Sequence, residues 1–242
     1  MDIKNKNLLI TGSSKRIGKF LALKFAEEGA NIVVHYNSSK DEALKVCESI
    51  KSKGVKCKLL KANLEDEEEA KKLAYQALEA FGSIDVLINN ASIYYSTPLF
   101  DEKNEIDLDK FYKIHVKAPF ILSKIIGKHM YENKQGRIVN IADYSPLRPY
   151  RNFTPYIISK GALLTLTRAL AKELSPHVLV NAVLPGPIIP PDDLEDLEKP
   201  LKKTLLKKWA GEIEIYKAVK YLVETDFTTG AFIPVEGGRL LC

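Results

Sequence analysis

Short apolar runs alternate with longer amphipathic segments along the whole chain. Most of the short runs are continuous, which is typical of strands buried on both faces of a parallel sheet. The longer segments repeat their apolar residues at helical spacing, and glycine turn signals separate the two kinds. Seven strands are predicted, at Asn7–Ile10, Asn31–His35, Val55–Leu60, Ile84–Asn89, Arg137–Ile141, Val178–Val183 and Ala231–Val235. Six helices are predicted between them, at Ile17–Glu28, Lys40–Ser52, Asp66–Ala80, Asp107–Glu132, Pro155–Leu174 and Glu212–Val223.

This alternation predicts an α/β fold, a doubly wound (Rossmann) parallel sheet of about seven strands with helices on both faces. A domain of this class can reach about 250 residues, so we expect residues 1–242 to form a single domain. The regular order is interrupted at 185–209, where five prolines break up an acidic stretch and then a lysine-rich one. We expect that segment to be a mobile lid over the substrate.

Composition and charge favour a soluble enzyme over other classes of protein. The net charge is +5, and the lysines are interleaved with acids along the chain, so we expect no nucleic-acid partner. Apolar runs of about 18 residues, which a membrane helix needs, do not occur, and neither does a secretion signal. Cys47, Cys57 and Cys242 are too few for a disulfide framework and lack metal-ligand spacing. We therefore expect a cytoplasmic protein in a reducing compartment, without a metal site.

The turn after the first predicted strand favours a phosphate-bearing cofactor. It runs from Thr11 to Gly18 and leads directly into the first helix. Gly12 and Gly18 let the backbone approach a pyrophosphate, and the free N–H groups of the helix N-terminus bind its charge. Two glycines in isolation are equally compatible with a structural turn. The position of the turn, at the first strand of an alternating α/β chain, favours a dinucleotide.

The residues after the second strand predict NADP (NADPH) rather than NAD. An acidic residue about 20 positions beyond the turn would bind the ribose 2′-hydroxyl of NAD. Here Asn37, Ser38, Ser39 and Lys40 follow the strand, and none is acidic. A carboxylate would repel a 2′-phosphate, whereas these side chains and Arg16 can hydrogen-bond to it or neutralise it.

Tyr156 and Lys160 are candidates for the chemistry. Residues four apart share one face of a helix, so the phenol and the ammonium can lie together. A nearby cation lowers the pKa of a tyrosine toward working pH, as a general acid in carbonyl or imine reduction requires. Two other Tyr-x-x-x-Lys pairs occur in the chain, so the spacing alone is not diagnostic. The position of this pair, after the fifth strand, favours it.

Four motifs occur in the order and over the length typical of the short-chain dehydrogenase/reductase family, which the chain resembles. They are Thr11-Gly12 with Gly18, Asn89-Asn90-Ala91, Tyr156-x-x-x-Lys160 and Pro185-Gly186. The resemblance implies hydride transfer with NAD(P), a tyrosine proton donor, and a lysine that binds the nicotinamide ribose and lowers the pKa of that tyrosine. It implies cofactor contacts by Gly12, Ser14, Arg16, Ile17, Gly18, His35, Tyr36, Asn37, Ser38, Asn63, Leu64, Asn89, Ala91, Tyr156, Lys160, Pro185, Gly186 and Ile188.

Two departures from the common family pattern resemble its pteridine reductase branch. Arg16 stands where most members have a glycine, and Asp143 stands where they have a serine, 13 residues before Tyr156. In that branch the arginine reaches cofactor phosphate and substrate, an aromatic residue stacks the pterin on the nicotinamide, and the aspartate helps to protonate the ring. The resemblance implies the catalytic residues Asp143, Tyr156 and Lys160, and the substrate-binding residues Arg16, Ser92, Tyr94, Asp143 and Tyr156.

These residues predict an NADPH-dependent reductase of a pterin or dihydropterin/dihydrofolate-like ring. One alternative is a 3-oxoacyl-acyl-carrier-protein reductase or another small carbonyl reductase, against which Asp143 and Tyr94 argue. A second is a non-catalytic NADP-sensing protein, which would have no need of Tyr156 and Lys160.

Two further features follow from the family resemblance. His115 stands where members commonly carry an asparagine that supports a water path to the lysine, and the sequence leaves open whether this histidine relays protons. The resemblance also suggests a homotetramer packed through the fourth and fifth predicted helices. The expected partners are therefore a small-molecule substrate and further copies of this chain.

Overall fold

Seven parallel strands form one sheet in the computed structural model, which describes residues 1–190 and 196–242. The strand order is β3-β2-β1-β4-β5-β6-β7, so the direction of winding reverses between β1 and β4. In sheets of this kind a ligand binds outside the carboxyl ends of the strands at the point of reversal. The strands are β1 (Asn7–Ile10), β2 (Asn31–Tyr36), β3 (Cys57–Lys61), β4 (Val86–Asn89), β5 (Gly136–Ile141), β6 (Val178–Pro185) and β7 (Phe232–Val235). The predicted fold class is confirmed.

Helices cover both faces of the sheet. They are α1 (Arg16–Glu27), α2 (Lys40–Lys51), α3 (Glu67–Phe81), α4 (Asn104–Tyr112), α5 (Ala118–Glu132), α6 (Thr154–Glu173) and α7 (Glu212–Glu224). A π-helical turn, Lys113–Lys117, joins α4 to α5, and short 3-10 helices occupy Leu201–Lys203 and Arg239–Leu241.

The two faces bury separate sets of side chains, because successive residues of a strand point to opposite sides. In β1, Leu8 and Ile10 belong to the core that contains Phe25 of α1, whereas Leu9 belongs to the core that contains Leu122 of α5. All five side chains are fully buried. Burial of a large aliphatic side chain contributes about 1.5–3 kcal/mol to the free energy of unfolding. The two cores therefore hold the central strands in place, and the candidate site lies at the carboxyl ends of those strands.

Two sequence expectations differ from the structure. The helix predicted over Asp107–Glu132 is instead two α-helices joined by the π turn, because a pattern of apolar positions does not reveal an inserted residue. The cysteines also differ from the expectation of a reducing compartment, because Cys47 of α2 and Cys57 of β3 form one disulfide, with their Cα atoms 5.6 Å apart. The chain turns back between these two elements, which brings together cysteines only ten positions apart.

The predicted lid at 185–209 is partly outside the described residues, because 191–195 are not described. Its remainder contains the 3-10 helix Leu201–Lys203, and its movement stays a prediction. Within the described ranges no helix has the length and apolarity needed to cross a membrane. The same residues contain no group of three or more potential metal ligands.

Candidate active site

A cleft of about 470 Å³ opens at the carboxyl ends of β1, β2 and β4, where the winding reverses. Most of the predicted cofactor and substrate residues line it. These are Gly12, Ser14, Arg16, Ile17, Gly18, His35, Tyr36, Asn37, Ser38, Asn63, Leu64, Ala91, Ser92 and Tyr94.

The phosphate turn is held close to the first helix. Gly12 has a φ of +64°, which glycine adopts without strain. A Cβ on Gly18 would lie 2.3 Å from the carbonyl oxygen of Gly12, so only glycine fits there. Asn90 fixes the other side of the turn, because its Nδ2 donates to the carbonyl oxygens of Thr11 and Gly12 at 2.9 and 3.3 Å. This narrow cradle fits a dinucleotide pyrophosphate at the start of α1.

His35, on β2, holds the phosphate turn in place through a hydrogen bond to Gly12. Its Nδ1 accepts the backbone N–H of Gly12 at 2.9 Å, so Nε2 carries the proton and donates to the carbonyl oxygen of Ala62 at 3.1 Å. Burial lowers the pKa of His35 to about 4. The imidazole is therefore a neutral, fixed support of the cofactor cleft at physiological pH.

Arg16 places a cation at the mouth of the cleft. Its Nη2 donates to the carbonyl oxygens of Ile189 and Pro190, at 3.4 and 3.2 Å, which links the phosphate turn to the segment after β6. Its φ is +49°, in the left-handed region that favours glycine. The backbone geometry thus explains why a glycine is common here, and the arginine is kept despite that preference.

The region where a 2′-phosphate would bind contains no acidic side chain among the described residues that line the cleft. Ser38 and Ser39 line it, whereas Lys40 begins α2 and is exposed outside it. Lys15 also lines it, and pairs with Glu42 at 3.0 Å. This chemistry fits the phosphate of NADP better than the free ribose hydroxyl of NAD.

Six predicted cofactor residues do not line the described cleft. Tyr156 and Lys160 belong to the buried cluster described below, and the other four are Asn89, Pro185, Gly186 and Ile188. The Asn89 side chain is buried, with its Nδ2 donating to Oδ1 of Asn140 at 2.8 Å, so it supports the β4 and β5 ends from within. Pro185 ends β6, and Gly186 lies against Glu236, where a Cβ would be 2.7 Å from the Glu236 Cα. Ile188 is buried in the core. Cofactor contacts by these residues stay predictions.

The catalytic candidates lie together in one buried cluster. The hydroxyl of Tyr156, on α6, donates to Oδ2 of Asp143 at 2.8 Å. The other carboxylate oxygen of Asp143 accepts the backbone N–H of Ser145 at 2.7 Å. Lys160, one turn along α6, is buried and its Nζ donates to the carbonyl oxygen of Ile141 at 3.0 Å. Its Nζ is 5.7 Å from the centre of the Tyr156 ring.

The ionisation of this cluster differs from the sequence expectation. Burial, and then the charge of Asp143, raises the pKa of Tyr156 well above its ordinary value. The expected lowering by Lys160 is wrong, because these two effects oppose it. Burial also raises the pKa of Asp143 and lowers that of Lys160 to about 8. Tyr156 therefore keeps its proton, and Asp143 holds one to a higher pH than an exposed carboxyl does.

His115 lies within the π turn and links the loop after β4 to α6. The backbone N–H of Ile93 donates to its Nε2 at 3.2 Å, so Nδ1 carries the proton and donates to Oγ of Ser159 at 2.8 Å. The Ser92 hydroxyl also contacts Nε2, at 2.9 Å. Burial, and then the charge of Lys160, lowers the pKa of His115 well below its ordinary value. The neutral ring thus acts as a bridge between two elements.

Tyr94 provides an aromatic surface beside the catalytic tyrosine. Its ring meets that of Tyr156 edge-on, with the centres 5.0 Å apart, and stacks on Phe153 at 4.8 Å. About half of Tyr94 remains exposed in the cleft. Such a position suits a flat ring that packs between Tyr94 and the reacting groups.

Several cleft residues are missed by the sequence argument. Asn90 belongs to the Asn-Asn-Ala motif, and the side-chain amide at this second position is the sequence signal for its hydrogen bonds to the phosphate turn. Ile93 and Ile114 are brought in by the loop after β4 and by the π turn, and no sequence signal marks them. Phe153, behind Tyr94, lies in a loop without a motif.

The fold and the site together define a dinucleotide-binding enzyme, and comparisons with known proteins agree. The family description "short chain dehydrogenase" matches residues 6–198. The 3-oxoacyl-acyl-carrier-protein reductase FabG of Staphylococcus epidermidis (strain ATCC 35984) is 33% identical over 246 residues, covering 98% of this chain and 100% of that protein. The structure of FolM alternative dihydrofolate reductase 1 from Brucella canis, complexed with NADP, is 32% identical with a TM-score of 0.91, covering 100% of this chain and 97% of that one. A blue fluorescent protein from a metagenomic library, in complex with NADPH, is 31% identical with a TM-score of 0.92 over 99% of both chains.

The chain belongs to the short-chain dehydrogenase family. It is therefore an oxidoreductase, and the predictions of the family, of an enzyme and of a nicotinamide cofactor are confirmed. The alternative of a non-catalytic sensor is left without support.

Proposed function

We propose that the protein is an NADPH-dependent reductase of a pterin or dihydropterin/dihydrofolate-like ring. The observation that carries this proposal is the hydrogen bond from Tyr156 to Asp143. A carboxyl group beside the proton donor can exchange a proton with a ring nitrogen. It would repel the negative charge that grows on the oxygen of a simple ketone during reduction.

The cofactor preference is supported by the chemistry of the cleft. Gly12, Gly18 and the start of α1 would hold the pyrophosphate, and Ser38, Ser39 and Arg16 would hold the 2′-phosphate. Lys160 would bind the nicotinamide ribose from within the cluster. The NADP and NADPH complexes of the two similar solved structures agree with this choice.

The residues of this chain would manage the protons of the reaction. A bound NADPH supplies the hydride. Tyr156 keeps its proton because its pKa is raised, and it donates to Asp143, whose raised pKa lets it take up a proton more readily than an exposed carboxyl does. The pair can therefore pass a proton to a ring nitrogen. Tyr94 would orient the flat ring over these groups, and Ser92 and Arg16 line the same cleft.

A 3-oxoacyl-acyl-carrier-protein reductase is the second candidate. It is favoured by the 33% identity with FabG over nearly the whole of both chains. Against it stands the charge of Asp143, in a position where a carbonyl oxygen needs a hydrogen-bond donor. The pterin reading explains Asp143 and Tyr94 together, which the thioester reading does not.

One assay panel separates the two candidates. NADPH oxidation is measured with dihydrobiopterin, dihydromonapterin, dihydrofolate and an acetoacetyl thioester, for the wild type and for Asp143→Ser. We expect wild-type turnover of the pterins, and a fall of about 10²–10⁴-fold in the variant, as for loss of a general acid. If the thioester is preferred, and Asp143→Ser leaves that activity unchanged or raises it, the second candidate is correct.

A further inference from the structure

A row of tyrosine rings leads from the catalytic tyrosine toward the C-terminal 3-10 helix. Beyond Tyr94, the Tyr150 hydroxyl lies 3.5 Å from the Tyr94 hydroxyl. Tyr150 and Tyr144 then stack with their ring centres 6.1 Å apart. Tyr94 is exposed and Tyr150 is partly exposed, whereas Tyr144 is buried behind them. A substrate that places its reacting ring beside Tyr94 and Tyr156 and extends along this row would therefore pack on the rings of Tyr94 and Tyr150.

Arg239 lies at the far end of the row, as the first residue of the last 3-10 helix. Its guanidinium carbon is 5.0 Å from the centre of the Tyr144 ring, and its Nη1 donates to the carbonyl oxygen of Pro200 at 3.0 Å. Its own carbonyl oxygen accepts a hydrogen bond from Nη1 of Arg148 at 3.1 Å. The Arg148 side chain therefore lies against the backbone of Arg239 where the aromatic row ends.

These two cations lack an anionic partner within the described parts of the chain. Neither forms an ion pair with a carboxylate there, and the Nε of Arg239 is buried without a hydrogen-bond acceptor. The charge of Arg239 also acts on Tyr94. Burial raises the pKa of Tyr94, and the positive charge of Arg239 opposes that rise. A buried guanidinium N–H without an acceptor is a position that a ligand oxygen would satisfy.

From this arrangement we infer that Arg239, with Arg148 beside it, binds a carboxylate that the substrate carries at the end opposite its reduced ring. The inference rests on the proposed function and narrows it. Within the pterin class it selects a folate-type molecule, in which an aromatic linker joins the dihydropterin to a carboxylated tail. The linker packs on the tyrosine row, and the planar guanidinium matches the carboxylate.

The test compares two substrates that share a ring and differ in the tail. The ratio of kcat/KM for dihydrofolate to kcat/KM for dihydrobiopterin is measured for the wild type, Arg239→Met and Arg148→Met. We expect the wild type to prefer dihydrofolate, and Arg239→Met to lower the ratio tenfold or more, chiefly through the KM for dihydrofolate. Arg148→Met lowers the ratio by a smaller factor.

Arg168 offers a matched control, because its guanidinium also lies over an aromatic ring, that of Phe232 at 4.3 Å, and Phe232 is not part of the tyrosine row. Arg168→Met should leave the ratio as in the wild type. A wild type that reduces dihydrobiopterin, with a ratio that Arg239→Met does not change, overturns the carboxylate site and leaves the proposed function standing. A wild type that reduces neither substrate overturns the proposed function, and with it the inference that Arg239 binds a substrate carboxylate.

Discussion

Arg16 places a positive charge at a backbone position whose conformation favours glycine. Its φ of +49° is unfavourable for an L-residue, and strain of this kind is typical of functional sites. The side chain reaches the segment after β6 from inside the phosphate turn. In the proposed function, this position combines binding of the 2′-phosphate with the contact to Ile189 and Pro190.

Arg16→Gly should remove the charge and relieve the backbone at the same time. A hydrogen bond to a charged group contributes about 1.5–3 kcal/mol, so the preference for NADPH over NADH should fall roughly tenfold to a hundredfold. The measurement is kcat/KM for both cofactors at one saturating substrate concentration. Arg16→Lys keeps a cation and should retain part of the preference. An unchanged ratio in Arg16→Gly would place the 2′-phosphate selectivity elsewhere.

Asp143 gives the reaction a pH dependence whose sign follows from its burial. Because burial raises its pKa, the carboxyl stays protonated to a higher pH than usual and then loses its proton as the pH rises. Pterin reduction that draws on this proton should therefore fall as the pH rises through that pKa. Lys160, whose pKa burial lowers to about 8, titrates in the same cluster and adds its own alkaline limb.

Asp143→Asn separates the effect of Asp143 on the pH profile from that of Lys160, because a carboxamide does not titrate. We expect a lower kcat/KM for dihydropterin and a profile that keeps only the decline near the pKa of Lys160. The profile is recorded at saturating NADPH for both proteins. An identical alkaline decline in both would show that the proton of Asp143 is not used.

At the scale of elements, the π turn between α4 and α5 carries a side chain that joins the loop after β4 to α6. Its His115 accepts from Ile93 on one side and donates to Ser159 on the other. The Ser159 hydroxyl in turn donates to the backbone carbonyl oxygen of Tyr156 at 2.7 Å. Single π turns inside helices are frequent at functional sites.

His115→Phe should test whether this bridge positions groups or moves protons. The variant keeps a buried ring but removes the acceptor of the Ile93 N–H, and it removes the donor to the Ser159 hydroxyl, which still donates to Tyr156. A part-buried N–H left without an acceptor costs about 1–3 kcal/mol of unfolding free energy. We expect a raised KM for substrate and an unchanged shape of the pH profile, because His115 is neutral at working pH. His115→Asn should restore part of the KM. Loss or displacement of an ionisation in the pH profile would show a proton relay instead.

At the scale of the whole molecule, the sequence predicts the features that depend on interactions between residues close together in the chain. The bounds of β1 are those predicted, and the phosphate turn with Gly12 and Gly18 lies where the sequence places it, because periodicity and glycine chemistry act over a few residues. The place of Arg239 at the end of the tyrosine row depends on contacts between elements that are distant in the chain. The Cys47–Cys57 disulfide depends on how the chain turns back between α2 and β3, which the spacing of the cysteines does not reveal. The raised pKa of Tyr156 likewise depends on burial, which its distance from Lys160 along the chain does not reveal.

The predicted homotetramer would pack through the long helical region α4–α5 and through α6. These helices carry exposed apolar side chains, including Phe120, which is 45% exposed on α5, and Ile158, which is 51% exposed on α6. Side chains of this size gain free energy from burial between subunits. Because Tyr156 and Lys160 lie on α6 as well, the same packing would steady the catalytic helix.

Sedimentation should therefore give a species of four times 27.2 kDa for the wild type. Phe120→Asp should shift it to smaller species and lower kcat, because α6 loses support from its neighbour. Leu44→Asp is the matched control: Leu44 is 40% exposed on α2, away from the predicted interface, and its replacement should leave the mass unchanged. A monomeric wild type, or a Phe120→Asp protein that keeps the full mass, would contradict an interface on these helices.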